Sequence, residues 1–153
     1  MSHVTAIGDV VLPPDRVVTF DEAAAKVQRN QLLIFSRWCQ VMLRFEKAMY
    51  ENPDQDLNKL WWDLVEKYQL LKRPEGRNAP DYASKIHIVT TPCYYHNYLL
   101  GEILASQIQA WTASGPEVAE QLLRPGASVR WDRLVEQATG APLGIDAFVA
   151  DAS

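Results

Sequence analysis

The sequence predicts an all-α protein with two long helices and several short ones. Three observations carry this. Residues 20–50 contain neither Gly nor Pro. Apolar residues there recur at three- and four-residue steps, the spacing of a helix face. Breakers cluster between periodic stretches, at Asn52-Pro53-Asp54, Arg73–Pro80 and Ser114-Gly115-Pro116.

Residues 1–18 read as a lead-in, with the short apolar run Val10-Val11-Leu12 stopped at Pro13-Pro14, and residues 19–153 as one helical domain. Thr19-Phe20-Asp21-Glu22 has the form of a capping box, in which Thr19 and Glu22 satisfy each other's backbone amides. The first long helix is expected from about Phe20 to Tyr50. Leu32, Phe35, Cys39, Met42, Phe45 and Met49 form one apolar stripe, and Ile34, Trp38 and Val41 a second. A helix apolar on two sides is buried from two sides.

Asp56 is placed to cap a second helix, Leu57 to about Leu70, with Leu60, Trp61, Leu64 and Tyr68 on one face. Tyr82–Val89 reads two ways. Ile86 and Ile88 flank His87 in strand-like alternation, while Asp81 could cap a short helix. Thr90-Thr91-Pro92 is expected to open the other long helix, running to about Thr112, with Pro92 in its first turn. Shorter helices are expected at Glu117–Leu123, at Val129–Thr139 capped by Ser128, and as a last turn near Ile145–Val149.

Composition narrows the function classes. The chain has 153 residues and 17.3 kDa, enough for one domain or part of a larger one. Five Trp, six Tyr and four Phe require burial, which excludes disorder throughout. A net charge of −4 disfavours general nucleic-acid binding. No apolar run reaches the length of a membrane span, and Met1–Gly8 lacks the basic and hydrophobic parts of a secretion signal. The expectation is a cytoplasmic protein without nucleic-acid or membrane partners. Cys39 and Cys93 are the only cysteines and form no CxxC pair, so free, buried thiols are favoured over a long-range disulfide.

Of the chemistry-bearing types, His3, His87 and His96 are the only histidines. HExxH, GxSxG, GxGxxG and Walker patterns are absent, and no three ligand-type residues have metal spacing. One segment stands out: Lys85 to Tyr98 packs a Lys, two His and three Tyr into 14 positions. Lys offers a fixed cation to a carboxylate, and His or a Tyr hydroxyl can donate to a developing oxyanion. Tyr94 and Tyr95 lie four and three residues before Tyr98, so a helix would put them on one side. The bland alternative is a core tyrosine cluster beside a surface histidine. Cys93 reads as a packed small hydrophobe, Trp61-Trp62 as core plus interface, and Arg124, Arg130 and Arg133 as a solvated face.

Trp61-Trp62-Asp63-Leu64, Lys67-Tyr68-Gln69, Arg77, Asp81 to His87, and Pro92 to Glu102 carry a family resemblance. The stretch from Leu32 to Trp111 resembles the C-terminal part of the catalytic domain of angiotensin-converting-enzyme-like zinc peptidyl-dipeptidases, especially bacterial ones. Weaker similarity runs to about Phe148. The resemblance implies a portion of a large helical zinc-peptidase fold that removes dipeptides from peptide C-termini. By position, Lys85 would bind the substrate's C-terminal carboxylate. His87 would bond the substrate backbone and steady the tetrahedral intermediate. Tyr95, or Tyr94 in the alternative register, would assist with the carboxylate, and Tyr98 would donate to the oxyanion. The family's chloride-binding arginine has no counterpart, since His96 and Asn97 stand there, so chloride activation is not implied. In the family the HExxH helix and the third zinc ligand lie upstream of this region. The expectation is therefore a substrate-binding portion with no zinc site or cofactor of its own, inactive alone. Its expected partners are a peptide with a free C-terminus and either an upstream zinc-bearing chain or a second copy. A free-standing peptide-binding or structural helical module is the alternative.

Overall fold

A computed structural model describes residues 6–7, 10–11, 14–115 and 117–153, with side chains at 20, 22–115 and 117–153. The fold is all-α. A two-residue antiparallel pair, β1 (Ala6–Ile7) and β2 (Val10–Val11), precedes the helices, with Ala6 opposite Val11. Helix α1 then runs without interruption from Pro14 to Glu51, 38 residues. Its start corrects two expectations. Pro14 does not merely stop the apolar run but opens the helix, because a first-turn proline lacks only an amide that has no intrahelical partner. Thr19 and Glu22 consequently lie inside α1 and cannot form its capping box, and α1 crosses the boundary expected at residue 18.

At the other end, Gln55 Nε2 donates to the Ala48 and Asn52 carbonyls at 2.7 and 2.8 Å, closing α1. Asp56 caps α2 (Leu57–Gln69) as expected, accepting from the Lys59 amide at 2.9 Å. Leu70 ends α2 in the left-handed region, φ 60°. Asp81–Ser84 forms a 3₁₀ turn that leads into α3 (Ile86–Val89), so the strand reading of His87 fails in favour of the helical one. Here α4 begins at His96, not Thr90, and extends to Thr112. Cys93 adopts φ 58°, and one left-handed residue interrupts any helix through Pro92. A π turn at Ala119–Leu123 and a 3₁₀ turn at Gly126–Ser128 follow. The next helix, α5, spans Trp131–Thr139, two residues later than expected. Ser128 does not cap it. Its hydroxyl donates to the Pro125 carbonyl, and Val129 is extended. Gly140, φ 77°, terminates α5, and α6 occupies Asp146–Ala152.

Helix α1 packs against α2, α4 and α6. Cys39, Val41, Met42 and Phe45 are all but inaccessible, and with Trp61 and Val65 of α2 and Ile88 of α3 they make the core. Phe45 meets the Trp61 ring edge-on at 5.2 Å and the Tyr82 ring at 4.8 Å. The two-sided apolar pattern thus holds from Trp38 to Met49. In the preceding turns Val27 and Ile34 are 54% and 59% exposed. Gln107 fastens the C-terminal part. Its amide nitrogen reaches Thr139 Oγ1, Ala141 O and Pro142 O at 3.0, 3.3 and 3.2 Å, while its oxygen accepts from the Gly144 amide at 2.9 Å. Arg124, Arg130 and Arg133 are solvent-facing and pair locally with Glu120, Asp132 and Glu136. No helix among the described residues is long and apolar enough to cross a membrane.

Because Phe45 fills the meeting point of α1, α2 and the 3₁₀ turn, Phe45→Ala should cost about 3–5 kcal/mol of unfolding free energy. Urea unfolding checks this, and a loss below about 1 kcal/mol would place the core elsewhere.

Candidate functional site

Three short structural features bring the residues of the Lys85–Tyr98 segment together. The α3 turn presents His87, the first turn of α4 presents Tyr98, and the connection between them holds Tyr94 and Tyr95. His87 Nε2 and Tyr98 Oη are 3.0 Å apart, a hydrogen bond whose donor depends on the His87 tautomer. The His87 ring stands edge-on to Tyr95 at 4.9 Å and to Tyr98 at 5.5 Å. Tyr94 and Tyr95 both pack on Tyr98, at 5.7 and 5.0 Å. Phe35 of α1 backs the cluster, 6.4 Å from Tyr95 and 6.3 Å from Tyr98. Tyr95 is the half-buried member; burial raises its hydroxyl pKa above the ordinary value, against a lowering contribution from Trp38. Tyr98 is 40% exposed and Tyr94 46%. A polar hydroxyl–imidazole pair therefore opens to solvent on an aromatic bed.

Lys85 stands apart from the tyrosines, at the junction of the 3₁₀ turn and α3. Its ammonium lies 5.0 Å from the centre of the Trp38 ring, a cation–π contact. No ion pair among the described residues involves it. It lines an open groove of about 560 Å³ together with Trp38, Trp61, Trp62, Arg77 and Asp81. Arg77 is not free there. It grips Asp81 with Nε and Nη2, and Trp62 Nε1 donates to the same carboxylate at 3.1 Å. These donors, the Arg77 hydrogen bond foremost, hold Asp81 below the usual carboxylate range. Glu75 also lines the groove, and among the described residues neither it nor Lys85 takes part in an ion pair.

The connection from α3 to α4 has one buried anchor. Glu46, 6% exposed on α1, accepts a hydrogen bond from the Cys93 amide. A non-glycine residue at left-handed φ costs roughly 1–2 kcal/mol, and this charge-assisted bond helps to offset it. Glu46 thereby sets where the backbone delivers Tyr94 and Tyr95. Cys93 itself is exposed, which corrects its reading as a packed hydrophobe: the left-handed turn carries its side chain outward. Cys39 is buried, and burial, with the Glu102 charge second, pushes its thiol up to about 11.

Sequence reasoning missed four contributors. Trp38 and Phe35 read only as helix-stripe residues. Glu46 gave no signal, being a lone carboxylate beside Phe45. Glu102, four residues after Tyr98, was readable as sharing that tyrosine's helix face. His96 is half-buried at the start of α4, and His3 lies outside the described residues. No group of three or more His, Cys, Asp or Glu among the described residues could hold a metal ion.

Two predictions follow from this electrostatic layout. Because the folded Asp81 pKa is lowered, its contribution to stability is present above the unfolded carboxylate value of about 4 and is lost as pH falls through the folded value. The stability gap between the wild type and Asp81→Asn should be full near neutrality and close on acidification. A gap independent of pH in urea titrations would contradict the pairing. Cys93 should react promptly with a thiol reagent at about pH 8 and Cys39 only on unfolding; two prompt thiols would overturn this assignment. Searches against family models, curated proteins and solved structures return no match to this chain.

Proposed function

We propose that this chain is the substrate-binding portion of a peptidase of the zinc peptidyl-dipeptidase type, and that it holds peptides by their free C-terminus. The observation that carries the reading is Lys85, a half-buried lysine whose ammonium rests on the Trp38 ring and, among the described residues, forms no ion pair. An ammonium in that setting gains most from an incoming carboxylate, since the aromatic wall limits solvent screening. The His87–Tyr98 pair supports a second role. With His87 Nε2 donating to it, the Tyr98 hydroxyl is free to donate to a peptide carbonyl, and to an oxyanion if one forms beside it. Tyr95, or Tyr94, would flank the carboxylate. The exposed Val27, Leu33 and Ile34 on α1 are consistent with a further chain covering that face.

In this reading the chain's own residues bind and orient the peptide and donate hydrogen bonds. The activated water would come from zinc on another chain or portion, and the chain alone would not hydrolyse peptides.

Calorimetric titration with matched peptides, free or amidated at the C-terminus, tests the reading. The free peptide should bind more tightly by about 10-fold or more, as for a charged hydrogen bond. Lys85→Ala should erase the difference. Equal binding of the two peptides to the wild type would remove the carboxylate clamp.

A further inference from the structure

A second open groove, of about 610 Å³, lies along the less covered part of α1. Leu32, Ile34, Phe35 and Trp38 give it an aliphatic and aromatic wall, and glutamine amides, Gln69 among them, line its margin. Among the described residues Glu102 is the one charged residue lining it. This carboxylate is half-buried, and none of the ion pairs among the described residues involves it. Arg29 borders an adjoining cavity that Glu102 also lines, but donates to the Ser153 carbonyl at 2.8 Å. The charge of Glu102 reaches into the protein, being the second contributor to the raised Cys39 thiol.

A half-buried carboxylate beside aromatic faces has lost part of its hydration and gains by pairing with a cation. Aromatic faces attract that cation as well, and an aliphatic wall suits the methylene stem of a long basic side chain. The groove also shares residues and contacts with the site already described. Trp38 lines both it and the Lys85 groove, Phe35 packs on Tyr95 and Tyr98, and Glu102 follows Tyr98 by one helical turn. We propose that this groove receives a lysine or arginine side chain of the bound peptide, paired with Glu102. The inference rests on the peptide-binding reading above and adds the side-chain class that the site selects.

The test uses short peptides with a free C-terminus carrying lysine or its uncharged analogue norleucine at each of the last three positions, titrated calorimetrically at low salt. At one position lysine should be preferred by about 10-fold. Glu102→Gln should abolish that preference while leaving the norleucine peptide's affinity unchanged. Glu102→Lys should turn the preference toward a glutamate peptide. Lys85→Ala should weaken lysine and norleucine peptides alike and keep the lysine preference, which separates the two readings. Circular dichroism confirms that each variant is folded. No lysine preference at any position, or one that survives Glu102→Gln, overturns the inference. If no peptide binds, the groove is probed alone by NMR with Nα-acetyl-lysine methylamide, which has no carboxylate. Saturable shifts lost in Glu102→Gln would uphold the groove and refute only the carboxylate clamp; no shifts would overturn both.

Discussion

The edge-on packing of Phe45 against Trp61 governs the rest of the molecule. It locks α1 to α2, and through Tyr82 it locks the 3₁₀ turn that precedes Lys85. Trp38, two turns earlier on α1, stacks edge-on against the same Trp61 at 5.8 Å. One buried indole therefore fixes both the core and the ring on which Lys85 rests. Aromatic pairs of this kind add geometric direction to burial, and direction is what a binding wall requires of its support.

A second layer of order is polar. Asp81 gathers Arg77 and Trp62, Glu46 gathers the Cys93 amide, and Gln107 gathers the α5–α6 connection. Each is a side chain from a regular helix or turn tying down an irregular segment. Loops carry their own backbone donors and acceptors, and Glu46 and Gln107 satisfy some of them where no ladder can.

Much of this was legible in the sequence, for identifiable reasons. The buried side of α1 from Trp38 to Met49 and the Asp56 cap were readable because local periodicity and capping chemistry act within one element. The start of α1 was misread because Pro13-Pro14 signals both a stop and a helix start, and only the packing of the whole chain decides between them. The start of α4 was misread because the left-handed turn at Cys93 depends on Glu46, 47 residues earlier. Of the site, the sequence marked His87 and the three tyrosines as suitable residue types close together, but not the bond between His87 and Tyr98. The placing of Lys85 on Trp38 was not legible either, since it links two elements far apart in sequence. The same holds for Glu102, whose meaning lies in which groove it borders.

The Arg29–Ser153 contact spans 124 residues, and α6 packs on both α1 and α4. The first helix is thus completed by the last one. During synthesis at about 5–20 residues per second, α1 waits several seconds for the segment that covers it. Contacts of such long sequence separation also slow folding after the chain is released. An emerging α1 with apolar faces on two sides therefore stays uncovered for longer than the helices that follow it.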